Sequence, residues 1–126
     1  MSTTSNTFFQ PVDGMELPRF AGIPSFMRLP HLGLDSVEIN APLVLPGVGA
    51  FGLIGVPWDA GTTNRSGPRH GPRQMRDLST MIRAMNGATR IKPFEIANFA
   101  DLGDAPVNPA DIQDCMYRIT EFYKMI

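Results

Sequence analysis

The sequence predicts an α/β fold built on a parallel sheet, and three observations carry that expectation. The run Phe51-Gly-Leu-Ile-Gly-Val-Pro57 reads as a strand with no polar face, as suits a strand inside a sheet covered by helices. After a loop of turn formers, Met75, Leu78, Met81, Ile82 and Met85 recur at steps of three and four, the period of a helix. A second strand-then-helix pattern follows between residues 94 and 126. Strands alternating with helices imply a parallel sheet with right-handed crossovers.

The chain has 126 residues, the size of one domain or of a piece of a larger one. Its 43% apolar and 18% charged content argues against global disorder. With 12 glycines and 12 prolines, long loops are expected. Eleven basic residues against 12 acidic ones leave a formal charge of −1, which offers no reason for a nucleic-acid or membrane-surface partner. Cys115 is the single cysteine, so an internal disulfide is impossible, and its helical position suits a small buried hydrophobe. The opening MSTTSNTFFQ lacks a basic leader followed by an apolar core, and the run from Leu43 to Trp58 is broken by Pro46 and Pro57. That run is also shorter than the ~20 residues a spanning helix needs. The expectation is a soluble, cytoplasmic protein.

Two segments are expected along the chain. Residues 1–42 form an extended arm, interrupted by prolines at 11, 18, 24, 30 and 42, each biasing its predecessor toward extended geometry. Phe8, Phe9, Leu17, Phe20, Ile23, Phe26, Met27, Leu29 and Leu32 make this arm too apolar for a flexible tail. It should pack on a body, its own or a neighbour's. Residues 43–126 then hold β-α-β-α units. The first helix begins near Pro72, since Gly-Pro suits a first helical turn, and Asn86-Gly87 stops it. Arg73, Arg76 and Arg83 fall largely on its other faces. The second strand is expected over Phe94 to Ala100, ending at Asp101-Leu-Gly-Asp104. The second helix is expected to start at Asn108-Pro109-Ala-Asp111 with Asn108 as its N-cap. Its apolar stripe is Ile112, Cys115, Met116, Ile119, Phe122, Tyr123 and Ile126.

Ligands in open α/β sheets bind outside the carboxyl ends of the strands. Two loops leave such ends here, Pro57 to Gly71 and Asp101 to Asn108. Parallel strands put Asp59, Asn64, Arg65, Arg69 and His70 on the same edge as Asp101, Asp104 and Asn108. That edge could hold a small polar ligand, or it could be a hydrogen-bonded scaffold for a glycine-rich loop, which is the simpler reading. Neither G-x-x-x-x-G-K-[ST] nor G-x-G-x-x-G is present, which argues against a nucleotide cradle. A weaker anion site at the helix start near Gly71 stays open. His31 and His70 are far apart in sequence, and Asp101 and Asp104 suit a turn better than a hard-cation site. No metal ligand set and no catalytic residue is read from this chain.

The stretch GVPWDAGTTNRSGPRHGPRQMR, residues 55–76, resembles the ureohydrolase family of arginases and agmatinases. So do LPRFAGIPSFMRLP at 17–30, PFEIANFADLGDAPVNP at 93–109, and the helix after it, all in register. The arm motif resembles the agmatinase branch that includes guanidinobutyrase and guanidinopropionase. Trp58, Pro68, His70 and Met75 depart from the family pattern, and Pro68 and His70 could reshape the loop.

The resemblance implies the N-terminal part of a three-layer arginase-like fold with a central parallel sheet. It implies hydrolysis of a small guanidino substrate, of the guanidinobutanoate or agmatine type, to urea and an amine. Two manganese or nickel ions and a homo-oligomer are implied for the full-length enzyme. The family's Gly-Gly-Asp-His, Asp-x-His-x-Asp and Asp-x-Asp ligand motifs do not occur in this sequence. The chain alone is therefore expected to bind no metal and to be inactive, with the 59–70 loop as pocket rim or scaffold. Phe26, Met27 and Arg28 are candidates for touching the far end of a substrate, although packing is the simpler role for the first two. A non-catalytic interaction module and an anion-binding α/β module are the alternatives.

Overall fold

A computed structural model describes residues 7–33 and 49–126. The boundary expected at residues 42 and 43 lies outside the described residues. Strand β1 (Ala50–Gly55) is followed by a loop, a single 3₁₀ turn at Pro68–His70 and helix α1 (Gly71–Ser79). A short helical turn α2 (Pro93–Ile96) leads into strand β2 (Asn98–Asp104), and helix α3 (Ile112–Lys124) closes the order.

The two strands pair in parallel, with Ala50 opposite Asn98 and Leu53 opposite Asp101. Between Leu53 and Gly55 the register slips by one residue, so that Gly55 faces Asp104. Such a bulge re-aims the strand end. Here it brings the Ala105 N–H onto the Gly55 carbonyl at 2.8 Å. A Cβ on Gly55 would lie 2.0 Å from Asp104 Oδ1 and 2.7 Å from Pro72 Cβ, so the crossing of β1, β2 and α1 requires glycine there.

The arm packs on its own body. Phe9 is buried with Ala100 and Leu102 of β2, flanked by Leu32 and Ile54, a burial that contributes about 2 kcal/mol. The Gln10 side-chain amide donates to the Phe94 carbonyl. Residues 30–32 then run alongside β2, where the Leu32 N–H donates to the Asp101 carbonyl at 2.8 Å and the Asp101 N–H to the Pro30 carbonyl at 3.0 Å. His31 and Asp101 thereby form a parallel bridge on the outer edge of β2.

Four element boundaries differ from the sequence expectation. Strand β1 is shorter than Phe51 to Pro57, and Phe51 stays 51% exposed rather than covered, though its ring stacks on Phe99 at 4.9 Å. Helix α1 stops at Ser79, well before Met85. The hydroxyls of Ser79 and Thr80 bond back to the carbonyls of Arg76 and Asp77, and the amides of Thr80, Met81 and Ile82 take carbonyls three residues back. That tightening ends the helix. Leu78, Met81, Ile82 and Met85 are all exposed, so no packing extends it.

Strand β2 begins at Asn98, not Phe94. Pro93 sets a helical turn instead, which buries Phe94 edge-on against Phe99 at 5.2 Å. The strand continues through Asp101 to Asp104 because the arm bonds the Asp101 backbone and Arg76 neutralises both carboxylates. Helix α3 is capped by Asp111, whose carboxylate accepts from the amides of Gln113 and Asp114 at 2.8 and 3.0 Å. Asn108 instead donates to Asp114. Cys115 and Phe122 are buried and Ile119 half-buried, while Ile112, Met116, Tyr123 and Ile126 remain exposed. Among the described residues no helix is long and apolar enough to cross a membrane.

Candidate functional site

The loop after β1 is organised around one carboxylate. Asp59 is buried, and its Oδ2 accepts the Gly67 and Arg69 amides at 2.6 and 3.3 Å. Its Oδ1 accepts Nε and Nη2 of Arg69, each at 2.6 Å. Thr62 closes the near side, donating N–H and hydroxyl to the Asp59 carbonyl. Gly67 sits at φ 138°, a conformation that L side chains rarely adopt. One acid thus holds ten residues of loop against the start of α1. The Arg69 hydrogen bond, with the Gly67 amide next, lowers the Asp59 pKa to about 2 against burial, which works upward. Asn64, Arg65 and His70 lie on the same loop with exposed side chains, and the His70 N–H donates to the Gly67 carbonyl at 2.9 Å.

A second node lies where β2, α1 and the arm meet. Arg76 of α1 donates Nε to Asp101 Oδ2 at 2.8 Å, Nη2 to Asp101 Oδ1 at 3.0 Å and Nη1 to Asp104 Oδ1 at 2.7 Å. The Asp101 carboxylate also accepts the Phe26 and Gly103 amides, each at 2.9 Å. The Phe26 ring lies against the guanidinium, 4.3 Å from its carbon. Burial works to raise the Asp101 pKa; the Arg76 hydrogen bond, followed by the two amides, outweighs it and the net direction is down. The Asp101 hydrogen bond chiefly drives Arg76 upward, so both groups are ionised near neutrality.

The node also fixes an unusual turn in the arm. Met27 and Arg28 both have positive φ, 53° and 60°, which costs an L residue on the order of 1 kcal/mol each. The Met27 amide is met by the Ser79 hydroxyl at 2.8 Å, and the buried Arg28 guanidinium donates to the Leu17 carbonyl. Phe26, Met27 and Arg28 are therefore engaged in tying the arm to α1 and to itself.

Between the arm, α1 and the end of β2 lies a cavity of about 440 Å³, lined among others by His31, Arg73, Arg76, Asp101 and Asp104. Two of these residues, Arg73 and Arg76, looked from helical periodicity like ordinary outward-facing residues. Only Arg76's reach of 25 and 28 residues to its two acids shows otherwise.

These groups do not fit a metal pair. Among the described residues no three His, Cys, Asp or Glu side chains come together as a ligand set. The paired acids at Asp101 and Asp104 are committed to Arg76. No chemical step through a metal is derived from this chain.

A model of the arginase family matches residues 49–126, well over half of the chain. The chain belongs to the arginase family. Its architecture is that of an arginase-like α/β portion with a parallel sheet, similar to proclavaminate amidinohydrolase from Streptomyces clavuligerus. That solved structure superposes with a TM-score of 0.68 at 30% identity, over 86% of this chain and 33% of its own. Among curated proteins, the family member guanidinopropionase of Pseudomonas aeruginosa is 50% identical over 122 residues, covering 97% of this chain and 35% of that protein. Guanidinobutyrase from the same organism is 42% identical over 117 residues, covering 93% and 34%. The chain therefore spans about a third of the length of the arginase-family relatives it matches.

Proposed function

We propose that this chain is the N-terminal portion of a metal-dependent hydrolase that cleaves a guanidino acid or a related guanidino compound to urea and an amine. The observation that carries the reading is 50% identity to a guanidinopropionase over nearly the whole chain, with a guanidinobutyrase close behind. Identities of 50% and 42% to these two, against 37% to an agmatinase matched over the same share of the chain, favour guanidino acids over agmatine.

In this reading the residues of the chain build and stiffen rather than react. Asp59 and Arg69 hold the loop at the sheet's carboxyl edge, and Asn64, Arg65 and His70 form an exposed rim on it. Arg76, Asp101 and Asp104 fix the arm beside that edge. Two manganese or nickel ions would supply the activation of water that a resonance-stabilised guanidinium carbon demands, and the described residues of this chain offer no ligand set to hold them. Self-association of the whole enzyme is part of the proposal.

Urea release tests it. The purified 126-residue chain, given manganese and 3-guanidinopropanoate, 4-guanidinobutanoate or agmatine, is expected to release none. The same chain joined after Ile126 to the part of guanidinopropionase beyond its match is expected to release urea from a guanidino acid. Activity of the chain alone overturns the division of labour, and a folded but inactive fusion overturns the assignment.

A further inference from the structure

Three charged side chains are buried among the described residues: Arg28, Asp59 and Asp101. Two of them are paired, Asp59 with Arg69 and Asp101 with Arg76. Arg28 is not. Its guanidinium donates to the Leu17 carbonyl, a neutral acceptor, and no ion pair among the described residues includes it. A buried charge is costly unless an opposite charge and hydrogen bonds meet it. One carbonyl falls short of that, because a guanidinium carries five N–H donors. The turn that places Arg28 holds positive φ at both Met27 and Arg28, a conformation kept only where its surroundings enforce it.

Arg28 lines a second cavity, of about 290 Å³, between residues 12–31 of the arm and Thr80 at the end of α1. Val12, Leu17, Ile23 and Leu29 make its wall largely apolar, and no acid lines it. The Ser25 and Thr80 hydroxyls are already spent on the carbonyls of Leu29 and Asp77. Ile23, Ser25 and His31 also line the 440 Å³ cavity beside it, but the acids there, Asp101 and Asp104, are committed to Arg76. Ile23 is 94% exposed on the rim, apolar surface that an occupant would cover.

We propose that this cavity binds a small carboxylate with a short aliphatic chain, its carboxylate on the Arg28 guanidinium and its methylenes against Val12, Leu17, Ile23 and Leu29. The two oxygens of a carboxylate match two N–H groups along one edge of a guanidinium. A neutral apolar molecule would leave the charge unmet, and an inorganic anion would leave the wall uncovered. No acid in the wall meets a cationic far end, which favours a plain acid over an amino or guanidino acid. The site does not depend on the activity proposed above.

Butanoate is the probe, on the full 126-residue chain with ionic strength held constant by chloride. At about ten times its dissociation constant it should raise the thermal midpoint by on the order of 5 °C. Butylamine, of similar length and opposite charge, should not, and phosphate should do less than butanoate. In NMR the Arg28 Nε–H signal should shift on titration with butanoate, which reads the site without any substitution. Arg28→Gln keeps an amide donor for the Leu17 carbonyl but removes the charge, and it should abolish the butanoate response. An Arg28 signal unmoved by butanoate overturns the proposal, whether or not the glutamine variant folds. So does an equal response to phosphate, which marks a general anion site, and so does a response undiminished in folded Arg28→Gln. The same titration on the chain fused to the remainder of guanidinopropionase separates the sources of the carboxylate. A site that still answers butanoate there takes a free acid, and one silenced there is filled by an acidic side chain of the polypeptide, which overturns the proposal.

Discussion

Arg76 grips Asp101 through two nitrogens, Nε at 2.8 Å and Nη2 at 3.0 Å, across 25 residues of sequence. Asp101 is fully buried and the Arg76 side chain is 13% exposed. A bidentate pair of this kind has geometric demands that a lysine cannot meet. Its partners are a helix, a strand and, through the Phe26 amide, the arm.

Asp101→Asn should therefore loosen three elements together. Removing one partner of a buried pair strands the other charge, at a cost of about 3 kcal/mol. Urea unfolding should show that loss, and limited proteolysis should show earlier cleavage between residues 17 and 30. An unchanged arm in a destabilised chain would show that the carboxylate serves the sheet alone.

The Asp59 loop should respond to acid in a defined window. Its folded pKa of about 2 lies below the ordinary aspartate value of 3.8. The group is charged more readily when folded, so its stabilisation is complete above the ordinary value and is lost as pH falls from there toward 2. Amide exchange at Gly67 and Arg69, whose N–H groups bond this carboxylate, should accelerate over that window. In Arg69→Ala the carboxyl titration, followed by NMR, should move back up toward its ordinary value.

Gly55→Ala should be one of the costliest single-methyl additions in the chain. The new Cβ meets Pro72 Cβ at 2.7 Å, and the Asp104 oxygen at 2.0 Å can retreat only by leaving Arg76. Overpacking of this kind costs about 1–3 kcal/mol. Gly61→Ala, with nothing within 4 Å of its Cβ, is the control and should shift stability by less than about 0.5 kcal/mol. Thermal midpoints of the two variants compare them directly.

Asp111→Ala should lower the helicity of α3 and cost about 1 kcal/mol, the usual value of an N-cap. Asn108→Ala should cost less, because it loses a bond to Asp114 that Arg118 also makes, at 2.7 Å. Far-UV circular dichroism during urea unfolding distinguishes the two, and equal effects would place the cap at Asn108 after all.

Leu78→Lys should leave the stability of the isolated chain within about 0.5 kcal/mol, since the side chain is 63% exposed. It should instead raise the concentration at which light scattering first reports association, because exposed apolar patches drive it.

The sequence by itself determined the class of fold, the order of strand and helix, the burial of Cys115 and the apolar character of the arm. Those features are local: a period of three and four, a Gly-Pro at a helix start and a run of apolar residues each act over a few positions. It also carried the family resemblance, because the 55–76 stretch is contiguous. The tertiary structure decided where elements stop and what their polar residues do. Helix α1 ends at Ser79, with Met81, Ile82 and Met85 left exposed among the described residues, and β2 runs through two aspartates because Arg76 and the arm neutralise and bond them. The partners that settle these points stand 25 to 75 residues away, and no local pattern records a contact of that range. Whether the arm served its own body or a neighbour's was equally a question of distance in space, answered by Pro30 and Leu32 on either side of Asp101.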